Sequence, residues 1–215
     1  MRKFILGSLA ALALVVPQAV FAADTPVLVS TAVLPDVALK VASNSAITDS
    51  VANDQGVLLG GLGSDLYHIP GDAADIFYAI TDRGPNNDTV QPDKSAGTGF
   101  VVATFSPLIL KVQISGTSVK ILETHAIKTK SGAGATGLPN IKGYDAVPTD
   151  VKGITADTLY NLSGLDAEGI VKTANGDFWI VDEYAPSLAR LSSTGAIKAR
   201  YVPTGWKGNP TSFKA

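Results

Sequence analysis

Four acidic residues flank a predicted β-hairpin in the C-terminal half of the sequence. Asp166 and Glu168 precede its first apolar run, and Asp182 and Glu183 follow its second. Antiparallel pairing through a turn at Asn175-Gly176 would place the start of the first strand beside the end of the second, so that up to four carboxyl groups share a small volume. Like charges at such distances raise one another's pKa unless a cation lies between them. The spacing therefore predicts a cation or acid-base site, with a solvated rim of turn-capping acids as the alternative.

The rest of the composition narrows the kind of cation. The sequence contains no cysteine, and its two histidines, His68 and His125, lack a partner at metal-ligand spacing. Oxygen ligands alone suit a hard ion such as Ca²⁺, which takes about six to eight oxygens. The absence of cysteine also excludes disulfides and thiolate metal sites.

A related motif lies upstream of the hairpin. Tyr78–Pro85 (YAITDRGP) and Phe178–Pro186 (FWIVDEYAP) both begin with an aromatic-led apolar run, continue with an Asp beside a second charged residue, and end in Pro. A repeated strand-turn unit is typical of propellers and solenoids, in which equivalent strand ends lie on one face. In the first copy, Arg83 beside Asp82 could bind a phosphate or carboxylate through its planar fork, or form an internal salt bridge that locks the turn.

Short apolar runs separated by turn residues predict an all-β fold. Outside the N-terminal segment, no stretch carries a sustained helical stripe. The predicted strands cover residues 27–34, 37–41, 57–62, 76–81, 100–105, 109–114, 119–122, 170–172, 178–181 and 188–191. Two predicted loops, 84–99 and 131–150, are long enough to suggest that they cover a face or rim of the fold. These strands would supply about two to four propeller blades of four strands each.

Residues 1–22 have the pattern of a Sec-type signal peptide, and residues 23–215 form one predicted domain. A basic start is followed by an apolar run to Val16 and by a small-residue cleavage site at Ala22. The run is too short for a stable membrane span, so we expect export to a bacterial periplasm or to the extracellular space. Without the two basic residues of this segment, 15 basic residues face 19 acidic ones, a net charge of −4. This charge argues against nucleic acid as a partner.

Three segments carry a family resemblance. Residues 165–191, LDAEGIVKTANGDFWIVDEYAPSLARL, closely resemble the signature of the phytase-like family, also described as esterase-like activity of phytase. Residues 77–88 (FYAITDRGPNND) and 134–140 (GATGLPN) resemble that family's SDRGP and TGLPN elements, and the resemblance extends from about Val57 onward. It implies a β-propeller. Because chains of that family normally continue through further blades, we expect this sequence to be the N-terminal portion of a longer member, with an incomplete propeller.

The resemblance also implies an activity and roles for the acids. The implied reaction is hydrolysis of a small-molecule phosphoester at a bound Ca²⁺, with a carboxylate accepting the proton. The implied metal ligands are Asp82, Asp166, Glu168, Asp182 and Glu183. Glu168 and Glu183 are also the candidate catalytic carboxylates, and Arg83 is the candidate phosphate contact. Two alternatives stay open, namely a calcium-dependent lactonase or esterase propeller that acts on an uncharged ester, and a non-catalytic envelope binding module.

Overall fold

Within the described residues, the elements with defined bounds are all β-strands, which confirms the all-β prediction. The computed structural model describes residues 27–39, 56–91, 93–150, 160–184 and 186–204, and the predicted signal peptide at 1–22 lies outside these residues. In chain order the strands are β1 (Asp65–Tyr67), β2 (Ile76–Ile80), β3 (Asn86–Val90), β4 (Ala96–Phe100), β5 (Leu108–Ser115), β6 (Ser118–Ala126), β7 (Val147–Thr149), β8 (Ala167–Lys172), β9 (Phe178–Asp182), β10 (Ser187–Leu191) and β11 (Ile197–Tyr201). Within the described ranges, no helix has the length and apolar composition that a membrane crossing requires.

Two four-stranded antiparallel sheets dominate the fold. The first sheet has the order β1-β2-β5-β6, and the second, built from four consecutive strands, has the order β11-β10-β9-β8. A third, smaller sheet has the order β3-β4-β7, in which β4 and β7 run parallel. Propeller blades are four-stranded sheets of this kind, so the two larger sheets are consistent with the predicted blades. A complete ring of blades stays a prediction.

The first and second sheets share the main hydrophobic core. Tyr78 and Ile80 of β2 belong to one buried cluster with Phe178 and Ile180 of β9. The rings of Tyr78 and Phe178 lie 5.5 Å apart in an edge-on arrangement, which is favourable for aromatic pairs. Lys172 lies over both rings and donates a hydrogen bond of 2.7 Å to the Tyr78 hydroxyl. These two aromatic residues open the two copies of the repeated motif, so the copies pack against each other in the core.

The predicted turn at Asn175-Gly176 closes the β8–β9 hairpin, but its type differs from the prediction. Gly176 N donates to Thr173 O at 2.9 Å, and Thr173 N donates to Asp177 O at 2.9 Å. Gly176 has a φ of 87°, whereas Lys94 is the only non-glycine residue of the described ranges with a positive φ. The connection is therefore a three-residue loop ending in a left-handed glycine, because the predicted type I′ turn would need a positive φ at Asn175 as well.

The predicted loop 84–99 contains the β3–β4 hairpin, and the predicted loop 131–150 contains β7. Four of the five residues of β3 are exposed, and its sequence, NNDTV, has no apolar alternation from which a strand could be recognised. This strand forms against a glycine-rich partner. A Cβ atom at Gly97 or Gly99 of β4 would lie 2.8 or 2.9 Å from side-chain atoms of Thr89, so close pairing requires glycine there.

Three of the predicted N-terminal strands, 27–34, 37–41 and 57–62, form only isolated bridges in their described residues. Val33 bridges to Ser118, and Ala38 bridges to Leu58, while the rest of segments 27–34 and 57–62 is irregular. The side chains of Leu39, Val57 and Leu59 pack onto the outer face of the first sheet, and the segments that carry them do not join it as strands. Apolar runs without alternation do not distinguish a strand from such a covering segment.

Candidate functional site

A β-bulge at the start of β8 brings three of the predicted acids together. Ala167 pairs with Asp182 and Gly169 pairs with Val181, which leaves Glu168 as the extra residue on β8. Bulges re-aim a side chain relative to the ladder. Candidate ligand oxygens of Asp166, Glu168 and Glu183 all lie within 4.8 Å of one another, with Asp166 buried and the two glutamates exposed. We call these three residues the acidic cluster.

Arg83 joins the first motif copy to this cluster through Asp166. Its Nη1 lies 2.6 Å from Asp166 Oδ2, and its backbone N donates to Asp166 Oδ1 at 3.1 Å. Burial raises the pKa of Asp166 to about 6, the charges of Glu183 and Glu168 add to this, and Arg83 opposes it. Burial by itself would lower the pKa of Arg83. Interactions with Asp166, Tyr184 and Glu183 raise it by more, so the pKa lies above its usual value. Arg83 therefore stays a cation that is paired with Asp166.

Asp182 lies apart from the acidic cluster, in a buried polar network beneath it. Its Oδ1 accepts a hydrogen bond of 2.7 Å from the backbone N of Asp166. Its Oδ2 accepts one of 3.0 Å from Ser187 Oγ and forms an ion pair with Arg200. Burial raises the pKa of Asp182, and the charge of Arg200 opposes that shift. Asp182 is not among the acids whose oxygens come together, and its hydrogen bond from the Asp166 backbone N gives it a position that supports Asp166.

Asp82 is also placed apart from the acidic cluster. Its Oδ1 accepts a hydrogen bond of 2.8 Å from Gly84 N, and its own backbone N donates to Gly61 O at 3.1 Å. Gly61 has a φ of 63°, and a Cβ atom there would lie 2.2 Å from Asp82 Oδ1. The carboxylate of Asp82 thus shapes the turn that presents Arg83. Of the two charged residues in the first motif copy, only Arg83 reaches the acids.

Arg200 is the centre of the buried network and was not predicted from the sequence. Its side chain is fully buried and donates to Ser187 Oγ (2.7 Å), Gly164 O (3.2 Å), Asn140 Oδ1 (3.3 Å) and Tyr184 O (3.0 Å), in addition to Asp182. It therefore ties β11 to the loops that carry Asp166 and Glu183.

The sequence signal for Arg200 is hidden by a second bulge. Leu191 pairs with Ile197 and Arg190 with Ala199, so Lys198 is the extra residue of β11. Simple alternation from the buried Ile197 would place Arg200 on the exposed face, and the bulge reverses this. Only an independent indication of the bulge could have revealed the residue.

Two glycines allow the loops around the site to stack closely. A Cβ atom at Gly137 would lie 1.7 Å from Arg83 O, and one at Gly164 would lie 1.7 Å from Leu138 O. Leu165 N donates to Thr136 O at 2.8 Å, which joins the same segments. The three segments that carry the sequence resemblance are thus layered on one another around Asp166.

Replacing Gly137 by Ala should destabilise the protein by about 2 kcal/mol or more, since the new methyl group overlaps a backbone oxygen that cannot rotate away. The free energy of unfolding in urea measures this loss. Gly63→Ala is the matched control, because a Cβ atom at Gly63 meets nothing within 4 Å and its φ is not positive. The control should change stability by less than about 0.5 kcal/mol. Equal effects of the two substitutions would refute the close approach.

A shallow depression of about 360 Å³ lies beside the acidic cluster. It is lined by Arg83, Tyr144, Asp145, Ala146, Glu183, Tyr184 and Pro186. Burial and the charge of Asp166 raise the pKa of Tyr184 far above its usual value, so its hydroxyl stays protonated. Burial and the charge of Glu183 raise the pKa of Asp145. Glu183 belongs to both the depression and the cluster, so a small molecule bound in the depression would lie next to any cation held by the acids.

The acidic cluster has the chemistry of a site for a hard cation. Its donors are carboxylate oxygens alone, and oxygens on opposite sides of a Ca²⁺ ion lie about 4.8 Å apart, twice the ligand distance of about 2.4 Å. The largest separation within the cluster is compatible with that span. The three side chains could supply part of a shell of about six to eight ligands, and water or substrate would complete it.

A comparison with known protein families identifies a match over most of the chain. The family model described as Phytase-like, esterase-like activity of phytase, matches residues 57–213. Searches of the curated proteins and of the solved structures give no significant match. The matched range includes Arg83, the glycines that stack the loops, the acidic cluster and Arg200. Since it covers well over half of the sequence, the chain belongs to the phytase-like family.

Proposed function

We propose that the protein is an exported, calcium-dependent phosphoester hydrolase. Membership of the phytase-like family supports a hydrolase at the level of the family. The observation that carries the proposal is the combination of three clustered carboxylates with one guanidinium that forms an ion pair with the buried member of the cluster, Asp166. Acids that bind a hard cation and an arginine that binds a phosphoryl group are the two components that hydrolysis of a phosphoester requires. Export rests on the sequence pattern of residues 1–22.

Each residue of the site has a proposed role. Arg83 binds a non-bridging oxygen of the phosphoryl group, and Asp166 fixes the position of its guanidinium through the ion pair and the backbone hydrogen bond. Glu183 lines the depression, so it accepts the proton of the attacking water, and Glu168 binds the cation. A bound Ca²⁺ would polarise the phosphoryl oxygen and lower the pKa of water.

An esterase or lactonase activity is the second candidate. The depression contains two carboxylates, Asp145 and Glu183, against the single guanidinium of Arg83. An uncharged ester would not be repelled by this excess of negative charge. The same acids and the same cation would serve for attack on its carbonyl carbon.

The proposed function is tested by assaying the protein with a phosphoester and with a lactone, in Ca²⁺ and in excess chelator. We expect phosphoester hydrolysis in Ca²⁺, loss of the activity with chelator, and recovery when Ca²⁺ is restored. Phosphoester hydrolysis that is equally fast in chelator would contradict the assigned role of the acids. Hydrolysis of the lactone alone would establish the second candidate instead.

Calcium should stabilise the protein more at pH 7.5 than at pH 5. Burial holds the pKa of Asp166 at about 6, above the value of about 3.9 for an unfolded chain. The folded state therefore binds a proton more tightly, and its stability decreases as the pH rises from about 4 through 6. A cation binds the ionised carboxylate and offsets this loss. At 100 times its dissociation constant, Ca²⁺ should add about 2.7 kcal/mol at pH 7.5.

Thermal melts with Ca²⁺ and with chelator at the two pH values measure this difference. Glu123→Gln, which removes an exposed carboxylate on β6, is the control and should leave the calcium shift unchanged. A calcium shift of the same size at both pH values would contradict a site that includes Asp166.

A further inference from the structure

We propose that Asp65 is a positioning residue whose carboxylate holds the edge of β8 and thereby keeps Glu168 in the acidic cluster. Asp65 begins β1 and does not belong to the cluster. The inference rests on the proposed function, because it takes the cluster as the cation site. It goes further, since it concerns what keeps an exposed glutamate in that site.

The first and second sheets meet at two edge strands. β1 lies at one edge of the first sheet, and β8 lies at one edge of the second. Edge strands leave backbone N–H groups without a partner in the ladder. Asp65 meets one of these groups, because its Oδ2 accepts a hydrogen bond of 2.8 Å from the backbone N of Ile170. A side chain of β1 thus takes the place that a neighbouring strand would have beside β8.

The carboxylate of Asp65 is also held by its own strand. Its Oδ1 accepts a hydrogen bond of 2.8 Å from the backbone N of Leu66, so each of its two oxygens has a backbone donor. Hydrogen bonds from N–H groups to a carboxylate are charge-assisted and about twice as strong as those between neutral groups. Asp65 therefore joins two strands across 105 positions of the sequence.

The bulge at the start of β8 lies between two hydrogen bonds of this kind. Before it, the backbone N of Asp166 donates to Asp182 Oδ1 at 2.7 Å, and after it, the backbone N of Ile170 donates to Asp65 Oδ2. Carboxylates therefore hold the backbone two residues before Glu168 and two residues after it. As the extra residue of the bulge, Glu168 has no partner in the β8–β9 ladder, so the direction of its side chain depends on these flanking points.

Gly169 lies between Glu168 and Ile170 in the sequence. A glycine backbone has access to more conformations than that of any other residue. The hydrogen bond just after it therefore limits how far the bulge can reorient. Loss of the Asp65 carboxylate should displace Glu168, whereas Asp166 keeps its own hydrogen bonds.

Calcium affinity, measured by calorimetry, tests the inference. Asp65→Ala should weaken calcium binding about tenfold, the lower end of the usual cost of losing a group that orients a metal ligand. Asp65→Asn keeps an amide oxygen that can accept from Ile170 N, so it should retain the affinity within about threefold. A calcium affinity that Asp65→Ala leaves unchanged would overturn the inference.

A double substitution shows whether Asp65 acts through Glu168. In the Glu168→Gln background, Asp65→Ala should change the calcium affinity by less than about twofold, whereas independent effects would multiply. Asp75→Ala is the matched control, because Asp75 Oδ2 accepts from Gln113 Nε2 at 2.7 Å within the first sheet. It should leave the calcium affinity unchanged in both backgrounds. An equal loss of affinity from Asp65→Ala with and without the Glu168 carboxylate would contradict a positioning role.

A measurement in chelator distinguishes failure of this inference from failure of the proposed function. NMR relaxation should show the backbone order parameters of Glu168 and Gly169 falling from about 0.85 to below about 0.6 in Asp65→Ala. Asp75→Ala should leave them unchanged. If Asp65→Ala does not fold, Asp65→Ser replaces it in every measurement with the same expectations, since its shorter side chain can still accept from Leu66 N. If the unsubstituted protein binds no Ca²⁺, the proposed function fails, and the order parameters alone decide the inference. Unchanged order parameters at Glu168 and Gly169 would overturn it.

Discussion

Replacing Glu183 by Gln should lower the rate of phosphoester hydrolysis by at least about 100-fold, the usual scale for loss of a general base or of a metal-binding group. Glu183 follows β9, lines the depression and belongs to the acidic cluster, so its carboxylate meets both the cation and the attacking water. Glutamine has almost the same shape but neither accepts a proton at neutral pH nor carries charge. Glu168→Gln should lower the rate by a comparable factor because it removes a ligand oxygen with a negative charge.

The two variants should differ in whether added Ca²⁺ restores their activity. Glu168→Gln weakens calcium affinity, so part of its activity should return at high Ca²⁺ concentration, whereas loss of the base in Glu183→Gln should not be rescued. Initial rates over a calcium titration measure both effects, and circular dichroism checks that the variants are folded. Glu123→Gln again serves as the control and should retain full activity. Unchanged rates and calcium dependence in both variants would refute the assigned site.

Pairing of strand ends could be predicted from the sequence, because hairpin geometry depends on local residues. The apolar runs on each side of Asn175-Gly176 are sufficient to place the start of β8 beside the end of β9. That pairing places Glu168 and Glu183 at the same end of the hairpin. The resemblance of residues 165–191 to the phytase-like family agrees with the family match over residues 57–213. The hairpin prediction and the family resemblance thus identified the same part of the chain.

Which acids join the acidic cluster and which ones support it could not be predicted, because their placement depends on bulges and on long-range contacts. A bulge sets Glu168 outward, and a second bulge turns Arg200 inward to Asp182. The contact between Arg83 and Asp166 joins residues 83 positions apart. Neither a period-2 pattern nor the local spacing of acids encodes these features. Sequence reasoning therefore grouped Asp82 and Asp182 with the other acids, whereas the structure gives both a supporting position.

Replacing Arg200 by Met should destabilise the protein by about 3 to 5 kcal/mol, the cost of leaving a buried partner charge uncompensated. Asp182 would lose its ion pair while its carboxyl group stays buried. Its pKa, already raised by burial, would rise further, so the variant should lose more stability as the pH increases. Urea unfolding at pH 5 and pH 8 measures both the loss and its pH dependence.

The partners of Arg200 explain why its loss should also disturb the acidic cluster. Asp182 accepts a hydrogen bond from the backbone N of Asp166. The backbone O of Tyr184, next to Glu183, accepts one from the Arg200 guanidinium. Arg190→Met is the matched control in the neighbouring strand. Arg190 is 37% exposed, and its partner Asp177 keeps an ion pair with Lys198, so its loss should cost less than about 1 kcal/mol. The double substitution Asp182→Asn with Arg200→Met should be more stable than Arg200→Met alone, because no buried charge is left without a partner. If Arg200→Met costs no more than Arg190→Met, the buried ion pair does not support the site, and the position of Asp166 must depend on the stacked loops instead.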